Sequence, residues 1–185
     1  MIENRVTGER ILFRKTAAET GGMLTVAEVT VARDGAVASA HVHPKQLERF
    51  HVLSGTLGVK LGRRKVTASA GDVVVIEPGT RHRFWNAGEE EARFVVEVRP
   101  SLEWEQLLAT MFALAADGKT SRKGMPNPLR LAVIAQKHFD DVRLPFPPAW
   151  MQRIALALGA PLGRLAGYGA TYEATGRVPL AAEAV

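Results

Sequence analysis

The 185-residue chain reads as a mainly β domain over residues 1–100 followed by an α-helical extension over residues 101–185. Three observations predict this. Apolar runs of strand length, separated by Gly, Pro, Asp and Asn turns, fill residues 10–98 without helical periodicity. The pattern changes at Ser101, after which apolar residues recur at helical spacing. The hydrophobic share of 46% supports one core and lies outside the disordered range.

Taken in order, Ile11-Leu12-Phe13 and Met23 to Val31 are the first strands, and Asp34-Gly35 turns tightly into an expected strand from Val37 to His43. Val52 to Leu61 and Lys65 to Ala68 flank a turn at Gly62, where Arg63-Arg64-Lys65 reads as a solvated hairpin end. Val73-Val74-Val75-Ile76 is apolar on both faces, so burial on both is expected. Pro78-Gly79 breaks that run, His82 to Trp85 resumes it, and Ala92 to Val98 ends the β region. Ser101 is the expected N-cap of a first helix bearing Leu107, Leu108, Met111, Phe112 and Leu114. Asp117 to Pro128 reads as a loop, Leu129 to Phe139 as a second helix, Pro145 to Pro148 as a rigid link and Ala149 to Leu158 as the start of a third helix, with Ile154 to Leu165 a packed or surface-lying helical stretch. Beyond about Gly176 the composition carries no ordering signal. The helices are expected to pack on the β domain or across a dimer interface. Alternatively Trp104, Phe112 or Trp150 roofs an apolar pocket. Gly159, Gly163 and Gly167 permit close helix approach, although Pro161 interrupts them.

The net charge of +5 is spread along the chain, and no nucleic-acid-binding motif accompanies it. No run approaches the roughly 20 apolar residues that span a bilayer. Cysteine is absent and the first residues lack a secretory pattern, so a cytoplasmic setting is expected.

The chemistry concentrates in His41, His43, Glu48 and His82. On a strand, His41 and His43 point to the same face, Glu48 opens the next strand, and His82 follows the Pro78-Gly79-Thr80 turn. Three imidazoles and one carboxylate suit one divalent transition ion (Fe, Mn, Ni, Cu or Zn) and leave positions open to substrate. Phe50 and Val52 share a face with Glu48, and Phe84 shares one with His82, so these three are expected either to wall a substrate pocket or to belong to ordinary core. His51 falls on the opposite face from Glu48, Asn86 reads as a turn-stabilising residue, Arg49, Arg81 and Arg83 as outward charges, and His138 as a surface residue.

These residues resemble the cupin superfamily. Its first motif, G-x5-H-x-H-x4-E-x6-G, is met by Gly35, His41, His43, Glu48 and Gly55. Its second, G-x5-P-x-G-x2-H-x3-N, is met by Gly71, Gly79, His82 and Asn86, with Glu77 at the proline position and Pro78 one residue later. The resemblance covers residues 8 to 100. It implies an antiparallel jelly-roll or β-barrel with the metal in its mouth, held by His41, His43, Glu48 and His82, and a homodimer. It leaves the chemistry open among a metal-dependent oxygenase of a small organic molecule, in which Glu48 is also the catalytic base, a non-redox isomerase or lyase, and a small-ligand-binding or sensing module.

Overall fold

The computed structural model describes residues 1–175, so the segment after Gly176 lies outside the described residues. Nine strands precede three helices: β1 (Ile2–Asn4), β2 (Glu9–Lys15), β3 (Thr25–Val31), β4 (Leu47–Ser54), β5 (Thr56–Leu61), β6 (Arg64–Ser69), β7 (Val73–Ile76), β8 (His82–Asn86) and β9 (Ala92–Arg99), then α1 (Trp104–Ala116), α2 (Pro128–Lys137) and α3 (Ala149–Leu165). The mainly β fold with a helical extension is therefore as expected. The strands form an antiparallel six-stranded sheet, β1-β2-β3-β9-β4-β7, and a three-stranded sheet, β6-β5-β8. They do not close into one barrel among the described residues. The expected strand from Val37 to His43 explains why. That stretch bends at Ala38 and Ser39 and is not a strand, meeting its neighbours through single bridges, Ala36 with Trp85, His41 with His82 and Val42 with Arg143. No continuous ladder joins the sheets there.

Period-two alternation builds the core. In β3 and β9 every second residue is buried, which turns Thr25, Ala27, Val29 and Val31, and Ala92, Phe94, Val96 and Val98, to the inside. Of these, Ala27, Val29, Val31, Phe94, Val96 and Val98 pack with Phe50, Val52, Leu57, Val59, Ile76 and Phe84 in one cluster. The tight Ser54-Gly55-Thr56 connection needs glycine twice over, since Gly55 has φ +72° and a Cβ there would stand 2.5 Å from the Glu91 carbonyl oxygen.

Three expectations are corrected. β7 lies at the edge of the large sheet, so only Val74 and Ile76 are buried while Val73 and Val75 face outward. Ser101 does not cap α1. Leu102 adopts φ +47°, the helix starts after Glu103, and Ser101 is buried and offers its carbonyl to the Trp104 N–H. The third helix runs through Pro161 to Leu165, because Ala160 and Gly163 press against α2. A Cβ at Gly163 would lie 2.5 Å from the Leu129 carbonyl oxygen. Gly167 falls beyond the helix and takes no part in that approach.

The extension is tied to the sandwich through α1. Trp104 and Phe112 enter the main core, with Trp104 edge-on to Phe13, while Trp150 is exposed. Leu107 and Leu114 join Ile134 of α2 in a second cluster. Asn127 caps α2 by accepting from the Arg130 N–H, with Pro128 at the first helical position. No helix among the described residues is long and apolar enough to cross a membrane.

Candidate metal centre

His41, His43, Glu48 and His82 converge between the sheets, each offering a ligand atom within 4.8 Å of the others. His41 and His82 are fixed by backbone pairing, exchanging N–H···O bonds of 2.9 Å in both directions. Glu48 opens β4, and the Gly79 N–H bonds to the His43 carbonyl at 2.8 Å, which brings the turn before His82 against the histidine pair. His43, Glu48 and His82 are buried, and His41 is half-buried.

Each imidazole has its Nδ1 committed to an oxygen acceptor. His41 Nδ1 donates to the Ser39 carbonyl at 3.0 Å and His82 Nδ1 to the Thr80 carbonyl at 3.0 Å. His43 Nδ1 lies 2.8 Å from Gln46 Oε1 and 2.6 Å from the Asp141 carbonyl. Gln46 has that orientation because its Nε2 donates to the carbonyls of Pro100 and Ser101. A carbonyl only accepts, so the proton of each neutral ring sits on Nδ1 and the Nε2 lone pair faces the centre. This is the orientation that metal-binding histidines need.

The electrostatics carry the same message. Burial pushes the Glu48 carboxyl up, but His43, His82 and His41 together outweigh it and bring it down to about 2. Burial, followed by the neighbouring rings, holds His41 down at about 3, so it stays neutral. For His82, burial opposes protonation, but the hydrogen bond and charge of Glu48 prevail and raise its pKa. His82 Nε2 lies 2.8 Å from Glu48 Oε2, and His43 Nε2 lies 3.6 Å from Glu48 Oε1. With Nδ1 already protonated, His82 Nε2 and Glu48 Oε2 are two acceptors in contact, which is stable only when a cation lies between them. A proton fills that role on His82, and a transition ion fills it for all four ligands, including the otherwise unpartnered His43 Nε2. The donor set therefore fits a divalent transition ion.

The surroundings contain residues that sequence spacing did not single out. Gln46 and Asp141 bear on His43, and Asp141 belongs to the extension. Residues 140–143 form a strap beside the ligand segment. Val42 and Arg143 pair through their backbones, and Lys45 meets Asp140 at 2.7 Å. The Asp141 side chain is held by His138 Nδ1 at 2.8 Å. His138, expected at the surface, is instead fully buried, because the turn after α2 folds inward to place Asp141 over His43. Glu103 Oε2 stands 3.6 Å from the same ring.

The remaining expected residues divide. Phe50, Val52 and Phe84 continue the faces of Glu48 and His82 and are buried, with the Phe50 and Phe84 rings packed on Phe94 at 4.8 and 5.4 Å. His51 is half-buried and points away from the centre. Arg49, Arg81 and Arg83 are exposed. Asn86 donates to the Val31 and Glu90 carbonyls and accepts from the Gly88 N–H, a turn-stabilising role.

The molecule is thus a two-sheet antiparallel sandwich in which three imidazoles and a carboxylate form a group suited to a metal ion. Residues 27–98 match the family model described as Cupin domain, and a helical C-terminal part follows that stretch. Over 90 residues it is 35% identical to "Polyketide synthase CurC" of Streptomyces cyaneus, covering 49% of this chain and 56% of that protein. Over 119 residues it is 29% identical to "Probable oxidoreductase virH" of Hypocrea virens, covering 60% of this chain and 52% of that one. The chain thus spans a little over half the length of these relatives. Among solved structures, a Klebsiella pneumoniae protein with a double-stranded β-helix domain is similar at 22% identity and a TM-score of 0.47, covering 55% of this chain and 84% of that one.

Proposed function

We propose that the protein is a metal-dependent oxygenase of a small organic molecule, with His41, His43, Glu48 and His82 holding one Fe, Mn, Ni, Cu or Zn ion. The observation that carries this reading is the 2.8 Å approach of His82 Nε2 to Glu48 Oε2 beside two further Nε2 atoms, all with their Nδ1 sides occupied. A bound redox-active ion supplies Lewis acidity and one-electron exchange with dioxygen. The chain supplies the rest. Glu48 is the carboxylate placed to accept a proton from the substrate, a role that requires binding of the substrate to raise its pKa from about 2. Phe50, Val52 and Phe84 form an apolar wall next to the ligands and keep water from the reacting carbon. The relative named a probable oxidoreductase supports redox chemistry, and the one named a polyketide synthase makes polyketides the first compounds to screen.

Elemental analysis of protein purified without chelator or affinity metal tests the reading, run beside a His41→Ala, His82→Ala double variant. About one equivalent of a redox-active ion, lost in the variant, together with substrate-dependent oxygen uptake is the expected result. Absence of metal after anaerobic reconstitution with each ion would reject it.

The reading includes a cytoplasmic homodimer. α3 exposes Trp150, Ile154, Leu158 and Leu162 at four-residue spacing, with Leu165 beyond them. Such a ridge packs against its own copy about a two-fold axis. Light scattering is expected to give twice 20.1 kDa for the native chain and the single mass for Leu158→Glu. A native chain of single mass would reject the dimer.

A further inference from the structure

The outer face of the three-stranded sheet carries a row of like charges. In the register of β8, β5 and β6, Arg83 stands directly opposite Lys60, and Lys60 directly opposite Lys65. Neighbouring strands are about 5 Å apart, so three cations share a line about 10 Å long. Like charges placed opposite one another destabilise a sheet. The six-stranded sheet avoids this, since Glu28 bonds both Arg14 and Arg93, Arg10 meets Glu91, and Arg99 meets Glu97. Among the described residues, Lys60, Lys65, Arg81 and Arg83 form no ion pair with any carboxylate.

These four cations border a concavity of about 430 Å³ that also contains Trp85. The next register row explains the shape. Trp85 lies opposite Gly58, and a Cβ on Gly58 would stand 2.2 Å from the indole Cε2. The indole therefore lies across β5 where a side chain is missing, with the Arg83 guanidinium 5.3 Å from the ring. Alternation turns the Arg83 and Trp85 side chains outward and those of His82 and Phe84 inward, while Ala40 and His82 also line the concavity, which therefore borders the strand segment that bears a candidate ligand.

We infer that this concavity is a binding site for a small organic anion bearing two or more negative charges and a flat ring. The charges neutralise the row of Arg83, Lys60 and Lys65, with Arg81 at its end, and the ring stacks on Trp85. Neither the four cations nor Trp85 is a candidate metal ligand, so the site does not rest on the oxygenase reading, although His82 lines the concavity as well.

Calorimetric titration with ADP, pyrophosphate and adenosine tests it on the full chain. ADP is expected to bind saturably at one site, more tightly than pyrophosphate and far more tightly than adenosine, and to weaken as ionic strength rises. A Lys60→Gln, Arg83→Gln double variant is expected to lose about tenfold or more in ADP affinity. Trp85→Leu is expected to bring ADP down to the level of pyrophosphate. Arg122→Gln with Lys123→Gln, in the exposed loop before α2, is expected to change nothing. Without ligand, Lys60→Gln should melt at a higher temperature than the native chain, which separates relief of repulsion from misfolding. Absence of saturable binding of ADP, or full retention of it in the Lys60→Gln, Arg83→Gln variant, overturns the inference. Equal affinity for ADP and pyrophosphate in the native chain overturns the ring-binding half of it.

Discussion

Two buried glutamates stand at opposite ends of one sheet face, and their surroundings give them opposite character. Glu48 pairs across β9 with Val98, while Glu9 pairs with Val31, which pairs with Ala92. Six residues of β9 separate those rows, about 20 Å along the strand. Both carboxyls are removed from water. Burial raises Glu9 to about 7, offset only partly by a hydrogen bond from Thr7, so near neutrality it holds its proton about half the time. Glu48, deeper still in imidazoles, is brought down to about 2. Burial alone makes a carboxyl keep its proton, whereas a hydrogen bond from His82 and the charge of neighbouring imidazoles keep a buried carboxyl ionised.

Removing a ring should collapse this difference most completely. His82→Ala takes away both the hydrogen bond and the nearest opposing acceptor, and metal affinity is expected to fall by about a thousandfold or more. Inductively coupled plasma analysis of the dialysed variant reads it, and retention of a full equivalent would contradict a ligand role for His82. Glu48→Gln is subtler, because the amide oxygen still ligates while its basicity is gone. Turnover is expected to drop by about a hundredfold or more while metal content falls far less. An unchanged turnover number would remove the proton-accepting role from Glu48.

The contrast also separates what sequence spacing reveals from what it hides. His41, His43, Glu48 and His82 were legible because strand alternation and two turns, at Gly35 and Gly79, are short-range properties. Gln46 was hidden, although it lies between His43 and Glu48, since its task depends on carbonyls at Pro100 and Ser101 that only the fold brings near. Asp141 acts on His43 through its backbone, a contact across 98 residues that no side-chain motif records. His138 misled for the same reason. It has no partner nearby in the β domain, yet it is buried because it secures Asp141. The edge position of β7 was equally invisible, because four apolar residues in a row fit a central strand as well as an edge whose outer face is exposed.

His138 gives the next prediction. As a positioning residue, its loss should loosen the Asp141 carbonyl and with it His43. His138→Ala is expected to weaken metal binding by about ten- to a hundredfold. His138→Asn, which keeps a donor toward Asp141 Oδ2, should recover most of it. Competition with a chromophoric chelator measures both. Equal loss in the two variants would mean that His138 only fills space.

The last effect, on stability rather than on the centre, belongs to Glu9, and it has a definite sign with pH. Unfolded, its carboxyl releases its proton near 4.5, while folded it retains it until about 7. Between these values the native state binds more protons than the unfolded chain, so stability falls as pH rises from about 4.5 to 7 and levels off above. Glu9→Gln removes this slope because it has no proton to lose and no charge to bury. At pH 4.5 the variant should match the native chain. Near pH 8 it is expected to be more stable by roughly 3 kcal/mol, the order implied by a shift from 4.5 to about 7 in a buried group. Urea unfolding at the two pH values decides the matter. Equal stability at pH 8 would show that Glu9 is ionised in the fold without cost, and that a cation serves it in addition to the Thr7 hydroxyl, as the imidazoles serve Glu48.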